Sequence, residues 1–282
     1  MKRFFCTIIA SVLMISVVGC GNNTGDSITV ISREASSGTR SAFTELMGII
    51  DENDTDLTTA SAEETQSTNV MMTTVAGNAN AIGYVSLGSL SDSVKAIKVD
   101  GVEPTVENIA AGKYTVSRAF NIVYKDGLSD LARDFLSYIL SAEGQTVIGD
   151  AEYIKISENS ESYTPAGLSG KLIIDGSTSV GPVMEKLADA YKKLNTGVSI
   201  EIQQTGSSAG ISSALDGVCD IGMSSRELKE SEIAGGAVAE KIALDGIAVI
   251  VNHDNPVDDL TSEQIRGIYT GEVTIWSQIT EQ

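Results

Sequence analysis

The sequence predicts an α/β fold, in one large domain or two smaller ones, and three observations point there. Apolar, β-like phrases alternate with phrases of helical period along most of the chain, which is the pattern of a sheet covered by helices. A length of 282 residues is enough for one large core or two smaller ones. A polar stretch at 157–170, SENSESYTPAGLSG, carries one Pro and two Gly and separates two such alternating runs.

The amino-terminal segment stands apart from this pattern. MKRFF supplies positive charge, CTIIASVLMISVV a short apolar core, and VVGC a close of small residues. Residues 1–20 therefore read as an export signal, too short for a spanning helix. Val17-Val18-Gly19-Cys20 resembles a lipobox, which implies cleavage before Cys20 and acylation there, enough to hold the chain on a membrane face. Cys6 leaves with the signal and Cys219 has no partner left, so no disulfide is expected. Cys219, in LDGVCDIG, reads as a small buried thiol.

After a polar linker at 21–26, ITVIS reads as a strand and AFTELMGII as a helix. DENDTDLTTASAEET is acidic; it lacks the Gly that a calcium loop needs at its sixth position, so it reads as a solvated loop. A helix in TNVMMTTVAG, strands AIGYVS and VKAIKV, a short helix in TVENIAAG and strand FNIVY follow. LSDLARDFLSYILSAEG places Leu128, Leu131, Phe135, Leu136 and Ile139 on one helical face. Past the 157–170 linker come strand KLIID, the helix in VMEKLADAYKKL, strand VSIEI, a helix after GSSAG, strand DIGMS, the long apolar IALDGIAVIVN and a helix in SEQIRGIY.

The net charge of −19 excludes an extended nucleic-acid surface, which needs excess Lys and Arg. It does not exclude a small anion. Four turns of small residues follow predicted strands: Ser36-Ser37-Gly38-Thr39, Gly176-Ser177-Thr178-Ser179, Gly206-Ser207-Ser208 and Met223-Ser224-Ser225. Any one of them is explained by the general preference of these residues for caps and turns. Together they suggest more. The first N–H groups of a helix lack internal partners and carry the positive end of its dipole, and Gly lets backbone come close. Several such ends converging would make a socket for a compact tetrahedral anion, to which Arg33 adds a full charge and a planar fork of donors. The acidic background reaches only about 8 Å through physiological salt.

A nucleophilic reading stands beside it. Gly206-Ser207-Ser208-Ala209-Gly210 fits G-x-S-x-G, with Ser208 as the nucleophile of a hydrolase. Its general base would have to be His253, the only histidine, in the turn-like NHDNP, where a surface role is the simpler reading. No Walker A loop, dinucleotide fingerprint or Cys/His metal spacing occurs.

SREASSGTRSAF, GNANAIGYVSLGSL, VDGVEPTVENIAAGKY, GSTSVGPVMEKLADAY, GSSAGI, DIGMSSREL and IALDGIAVIVN together resemble the phosphate-binding lipoprotein of bacterial high-affinity phosphate ABC transporters, from about Ile28 to Ile279. The resemblance implies a type II periplasmic-binding-protein fold, two α/β lobes with ligand in the cleft between them. One lobe would combine 27–91 with 251–282, and the other would run through 92–250. It implies phosphate contacts from Thr178, Ser179, Ser207 and Ser225 on one side and from Arg33, Ser37, Gly38 and Thr39 on the other. It also implies capture of inorganic phosphate outside the cytoplasm for an ABC permease, by a membrane-anchored monomer with no cofactor and no bond chemistry.

Two departures from the family pattern matter. In the family the GSTSV half comes first, whereas here it comes second, so the chain resembles a circular permutant in which 157–170 joins the usual ends. A fragment cut from a tandem pair is the other explanation of that order. Many relatives also place an Asp where Ser225 stands; such an acceptor favours phosphate, which keeps a proton, over sulfate, which does not. Ser225 can accept or donate, so sulfate or molybdate stays open as ligand. Glu34 is either a substitute acceptor or a partner in a surface salt bridge.

Overall fold

The computed structural model describes residues 26–53 and 55–280. The export signal and Cys20 lie outside them. Among the described residues no helix is long and apolar enough to cross a membrane.

The chain builds one lobe, crosses to the second, and returns. The first lobe opens with β1 (Thr29–Arg33), α1 (Gly38–Leu46), β2 (Glu63–Thr65), α2 (Thr68–Ala76) and β3 (Ala81–Ser86). It continues with a 3₁₀ turn, β4 (Lys95–Ala96), β5 (Lys98–Val99) and α3 (Val106–Ala110). The second lobe holds β6 (Ser117–Lys125), α4 (Asp130–Leu140), α5 (Ala142–Asp150), β7 (Ile154–Lys155), β8 (Gly170–Gly176) and α6 (Gly181–Leu194). Then follow β9 (Val198–Gln203), α7 (Ser207–Leu215), β10 (Ile221–Ser224) and α8 (Glu230–Ala234). The 15-residue β11 (Ala237–Val251) leads back to β12 (Asp259–Leu260), α9 (Ser262–Thr270) and α10 (Ser277–Thr280) in the first lobe.

The strands join along the path β2-β1-β3-β11-β6-β10-β8-β9, and β11 is the element common to both lobes. Its amino-terminal part pairs with β6 from Ala237 through Gly246, and its last residues, Ile247–Val251, pair with β3. β3 is buried at every position, as expected of a strand covered on both faces. β9, at the sheet edge, alternates exposed positions with buried or half-buried ones and carries Glu201 against Lys171. Pro182 in the first turn of α6 costs no hydrogen bond, because N–H groups there have no helical partner. In α4 the expected apolar face forms around Phe135, Leu136 and Ile139, with Ala132 and Tyr138 added, while Leu128 and Leu131 pack at its margin.

Two cores divide the molecule, and they correct the expected lobe boundaries. Val94, Ile97, Val99, Ile109, Tyr114 and Val116 pack with Ile31, Phe43, Tyr84 and Ile247–Val251, not with the second core. The crossings therefore lie at 116/117 and 246/247 rather than at 91/92 and 250/251. The reason is pairing with late-arriving strands: β4 lies against Ile250 and Val251 of β11, and β5 runs parallel to β12. Apolar phrases show that a segment is buried, but not in which core.

The 157–170 segment has no regular element before β8, yet it is tied down. Ala142 N–H donates to the Glu161 carbonyl at 2.9 Å, and the Tyr163 hydroxyl donates to Asp134 while accepting from Asn195 Nδ2. At the other side of the molecule, Ser27 bridges Ile275 and Trp276 N–H donates to the Asp26 carbonyl at 3.0 Å. The first and last described segments are thus neighbours.

Candidate functional site

The four small-residue turns meet where the lobes face each other. Each is placed by the carboxyl end of a strand: Ser36–Thr39 by β1, Ser177–Ser179 by β8, Gly206–Ser208 by β9 and Ser225 by β10. Three of them open helices. Ser37 caps α1, its Oγ accepting from Arg40 N–H at 3.4 Å. Ser177 Oγ accepts from the N–H groups of Ser179 and Val180 ahead of α6. Gly206 precedes α7 with φ of 103°, a conformation that L side chains rarely adopt.

Contacts run directly from lobe to lobe. Arg33 Nη2 donates to Thr178 Oγ1 at 2.9 Å, and the hydroxyls of Thr39 and Ser179 are 2.8 Å apart. Ser208 N–H donates to the Ser36 carbonyl at 3.2 Å. Gly38 comes so close to the opposite lobe that a Cβ there would stand 2.3 Å from Ser207 Oγ and 2.7 Å from Ser225 Oγ. Within the second lobe the hydroxyls form a chain. Ser177 Oγ donates to Ser225 Oγ at 2.9 Å, Ser225 and Ser207 Oγ lie 3.3 Å apart, and Ser225 N–H donates to Ser207 Oγ at 3.1 Å. Arg33, Ser37, Thr39, Ser177, Thr178, Ser179, Ser207 and Ser225 are all buried.

Arg33 aims a full charge at this cluster, and its setting corrects the reading of Glu34. Glu34 does make a salt bridge, but with a buried partner rather than on the surface. Its carboxylate accepts from Arg33 Nε at 2.9 Å and from Nη2 at 2.8 Å, while Arg33 Nη1 reaches Thr68 Oγ1 at 3.4 Å. Two parallel N–H···O bonds hold the guanidinium in one plane. The Tyr84 hydroxyl fixes the backbone, accepting from Arg33 N–H at 3.1 Å. With Glu34 offsetting the charge of Arg33, the cluster is an array of N–H and O–H donors of nearly balanced net charge. Such an array fits an oxyanion through hydrogen bonds and dipoles.

The structure does not assemble the hydrolase constellation. Ser208 Oγ accepts from Arg226 Nη2 at 3.2 Å, and Arg226 is itself held by Glu232. His253 is exposed in the first lobe, its Nε2 2.8 Å from the Asp92 carbonyl. Cys219 is buried, and burial pushes its thiol up to about 11, which suits a packing role. Among the described residues no group of three His, Cys, Asp or Glu side chains could hold a metal ion.

The sequence reading left out Ser177, Thr68 and Ser36. Ser177 lay inside a turn already singled out, and its signal was its position four residues before α6 begins, where its carbonyl accepts from Gly181 N–H at 3.0 Å. Thr68 gave no signal, because it reaches Arg33 only through the packing of α2 beside β1.

Comparison with known proteins agrees with this architecture. A family model described as a PBP superfamily domain matches residues 21–143 and 161–282. The phosphate-binding protein PstS 2 of Streptococcus agalactiae is 48% identical over 274 residues, covering 94% of this chain and 93% of its own. A crystal structure of a phosphate ABC transporter phosphate-binding protein from Streptococcus pneumoniae TIGR4 superposes with a TM-score of 0.73 at 46% identity, over 90% of this chain and 99% of that one. The phosphate-binding protein PstS of Staphylococcus saprophyticus is 36% identical over only 117 residues, 39% of this chain. Two α/β lobes joined by two crossings, with small-residue turns facing each other across the cleft, make the type II periplasmic-binding fold, and the chain belongs to the PBP superfamily and, within it, to the family of bacterial phosphate-binding proteins.

Proposed function

We propose that the chain captures inorganic phosphate outside the cytoplasm and presents it to the permease of an ABC transporter, held on the membrane through Cys20 and making or breaking no bond. The observation that carries this reading is the cross-lobe contact of Arg33 and Thr39 with Thr178 and Ser179, beside the Ser177–Ser225–Ser207 hydroxyl chain. A ligand that engages donors of both lobes adds to these direct contacts and so selects the closed form. Arg33, Ser37, Gly38, Thr39, Thr178, Ser179, Ser207 and Ser225 are the proposed contacts. Calorimetry on residues 21–282 with phosphate, sulfate and molybdate tests it. Heat with phosphate that disappears in Arg33→Ala is expected, and no heat from a folded monomer removes the reading. Labelled fatty acid should enter the full chain in its native type of host and not the Cys20→Ala variant.

Ser225 bears on selectivity. Its Oγ accepts from Ser177 and shares a proton with Ser207 Oγ, where either hydroxyl can donate, so by turning that contact it can meet a ligand oxygen or a ligand O–H. Discrimination against sulfate should therefore be weaker than with a carboxylate at that position. Ser225→Asp is expected to widen the ratio of phosphate to sulfate affinity.

The permuted order is also part of the proposal. Near-full alignment with PstS 2 of S. agalactiae, against a match over 39% of the chain with PstS of S. saprophyticus, is what two orders of the same halves would produce. The docked 157–170 segment would then be the joint, and the neighbouring Ser27 and Ile275 the opened position. A single chain of 282 residues that binds one phosphate per monomer supports the permutant, and binding only as a dimer supports the tandem fragment.

A further inference from the structure

A second charged cluster lies at the hinge, beside the hydroxyl site. β1 and β3 run parallel with Val30 beside Ile82, so their carboxyl ends bring Arg33 and Ser86 to one edge of the sheet. Ser86 Oγ donates to Asp245 Oδ1 at 2.8 Å, and Arg118 Nη2 donates to Asp245 Oδ2 at 3.1 Å. Asp245 and Arg118 are cross-strand partners on β11 and β6, each the second residue from a crossing, and both side chains are almost wholly buried.

Arg118 is poorly satisfied. A buried guanidinium usually holds a carboxylate through two parallel bonds, whereas here one is made and both Nε and Nη1 are buried without a hydrogen-bond partner. Its guanidinium carbon lies 5.4 Å from the centre of the Phe120 ring. Burial lowers the affinity of Arg118 for its proton, and the charge of Arg33 works in the same direction, so the two guanidiniums feel each other through the interior. Burial pushes the Asp245 carboxyl up to about 6, against the pull of Arg118, of Ser86 and of the Gly88 N–H. The Tyr153 hydroxyl also faces it, itself pushed up to about 12 by burial and by the charge of Asp245. A cavity of about 270 Å³ between the lobes touches Arg118 and Leu244 and opens past Glu45 and Lys241, which gives water a way to the hinge.

An anion docking at Arg33 adds negative charge to a buried neighbourhood, where charges act on each other more strongly than in bulk solvent. That charge disfavours the Asp245 carboxylate. We propose that Asp245 takes up a proton from solvent when an oxyanion occupies the Arg33 site, so that Asp245 and Arg118 act as positioning residues that couple anion capture to protonation of the hinge. The proton comes from buffer and ends on a carboxylate oxygen of Asp245, and no other bond changes. This rests on the oxyanion reading above.

The test is calorimetry with inorganic phosphate in buffers of different ionisation enthalpy, which counts protons taken up per anion. Wild type is compared with Asp245→Asn and with the double variant Arg118→Gln/Asp245→Asn. The double variant keeps polar groups at both positions and leaves no buried charge unpaired if the single variant fails to fold. The proton equilibrium of phosphate itself contributes alike to all three proteins. Near neutral pH the wild type should take up about half a proton or more per anion beyond either variant, and the excess should vanish above about pH 8.5. Its affinity should fall by several-fold to about tenfold more than that of the variants between about pH 6 and 8. Equal proton counts, with phosphate heat in all folded proteins, overturn the inference alone. No phosphate heat from folded wild type overturns the oxyanion reading as well.

Discussion

Arg33 and Arg118 are both buried at the cleft, and they are held in opposite ways. Arg33 is clasped by Glu34 through Nε and Nη2, and its other contacts are the hydroxyls of Thr68 and Thr178. Arg118 makes one bond, to Asp245, and leaves two nitrogens without partners. The first is a charge already balanced, fixed in orientation and ringed by groups that can turn toward a ligand. The second is a charge tolerated at a hinge, where the balance between Arg118 and Asp245 depends on what else is near. The lesson is that a buried cation can serve binding through its geometry in one place and through its field in another.

The comparison can be broken most sharply at Arg118. Arg118→Ala leaves Asp245 buried without a counter-ion, which should cost about 3–5 kcal/mol of stability at neutral pH, read from urea melts. The cost should shrink near pH 5. The folded-state value of Asp245, about 6, lies above its ordinary value of 3.8, so its stabilising contribution is full below the ordinary value and lost as pH rises through about 6. An equal loss at both pH values would show that Arg118 acts by packing and not by charge.

Arg33→Ala should reverse that profile. Phosphate affinity is expected to drop by about 100-fold or more, because the donors are lost and Glu34 is left facing the anion, while stability should change less than in Arg118→Ala. A large stability loss with intact binding would interchange the two roles. Next in size is Gly38→Ala. Its Cβ would press on the hydroxyls of Ser207 and Ser225, so calorimetry should show affinity weakened about tenfold, with little change in the melting of the unliganded protein. The smallest effect belongs to a site away from either arginine: Cys219→Ala should cost about 1 kcal/mol and leave phosphate binding and its pH dependence unchanged.

Much of this was legible in the letters. The turns around Ser37, Thr178, Ser207 and Ser225 were readable because helix starts and strand ends use a small vocabulary, and Arg33 stood out beside them. What failed to show was anything that depends on a partner arriving from elsewhere. Val94–Val116 read as part of the second lobe, since β12 and the end of β11, which hold it in the first, come about 150 residues later. Glu34 read as a substitute acceptor or a surface salt-bridge partner, because Arg33 gave no sign of being buried. Arg118 and Asp245 drew no notice at all. Each is an ordinary charged residue in its own strand phrase, and only the antiparallel pairing of β6 with β11 sets one against the other.

By itself the sequence determined the α/β alternation, the Ser, Gly and Thr turns and their ability to offer donors to an anion, because period, capping and backbone freedom are local properties. The tertiary structure alone decided which core each segment entered, that Gly38 approaches Ser207 across the cleft, and that two guanidiniums share one buried neighbourhood. Those are outcomes of strand pairing and desolvation between residues far apart in the chain, and no short stretch of sequence carries them.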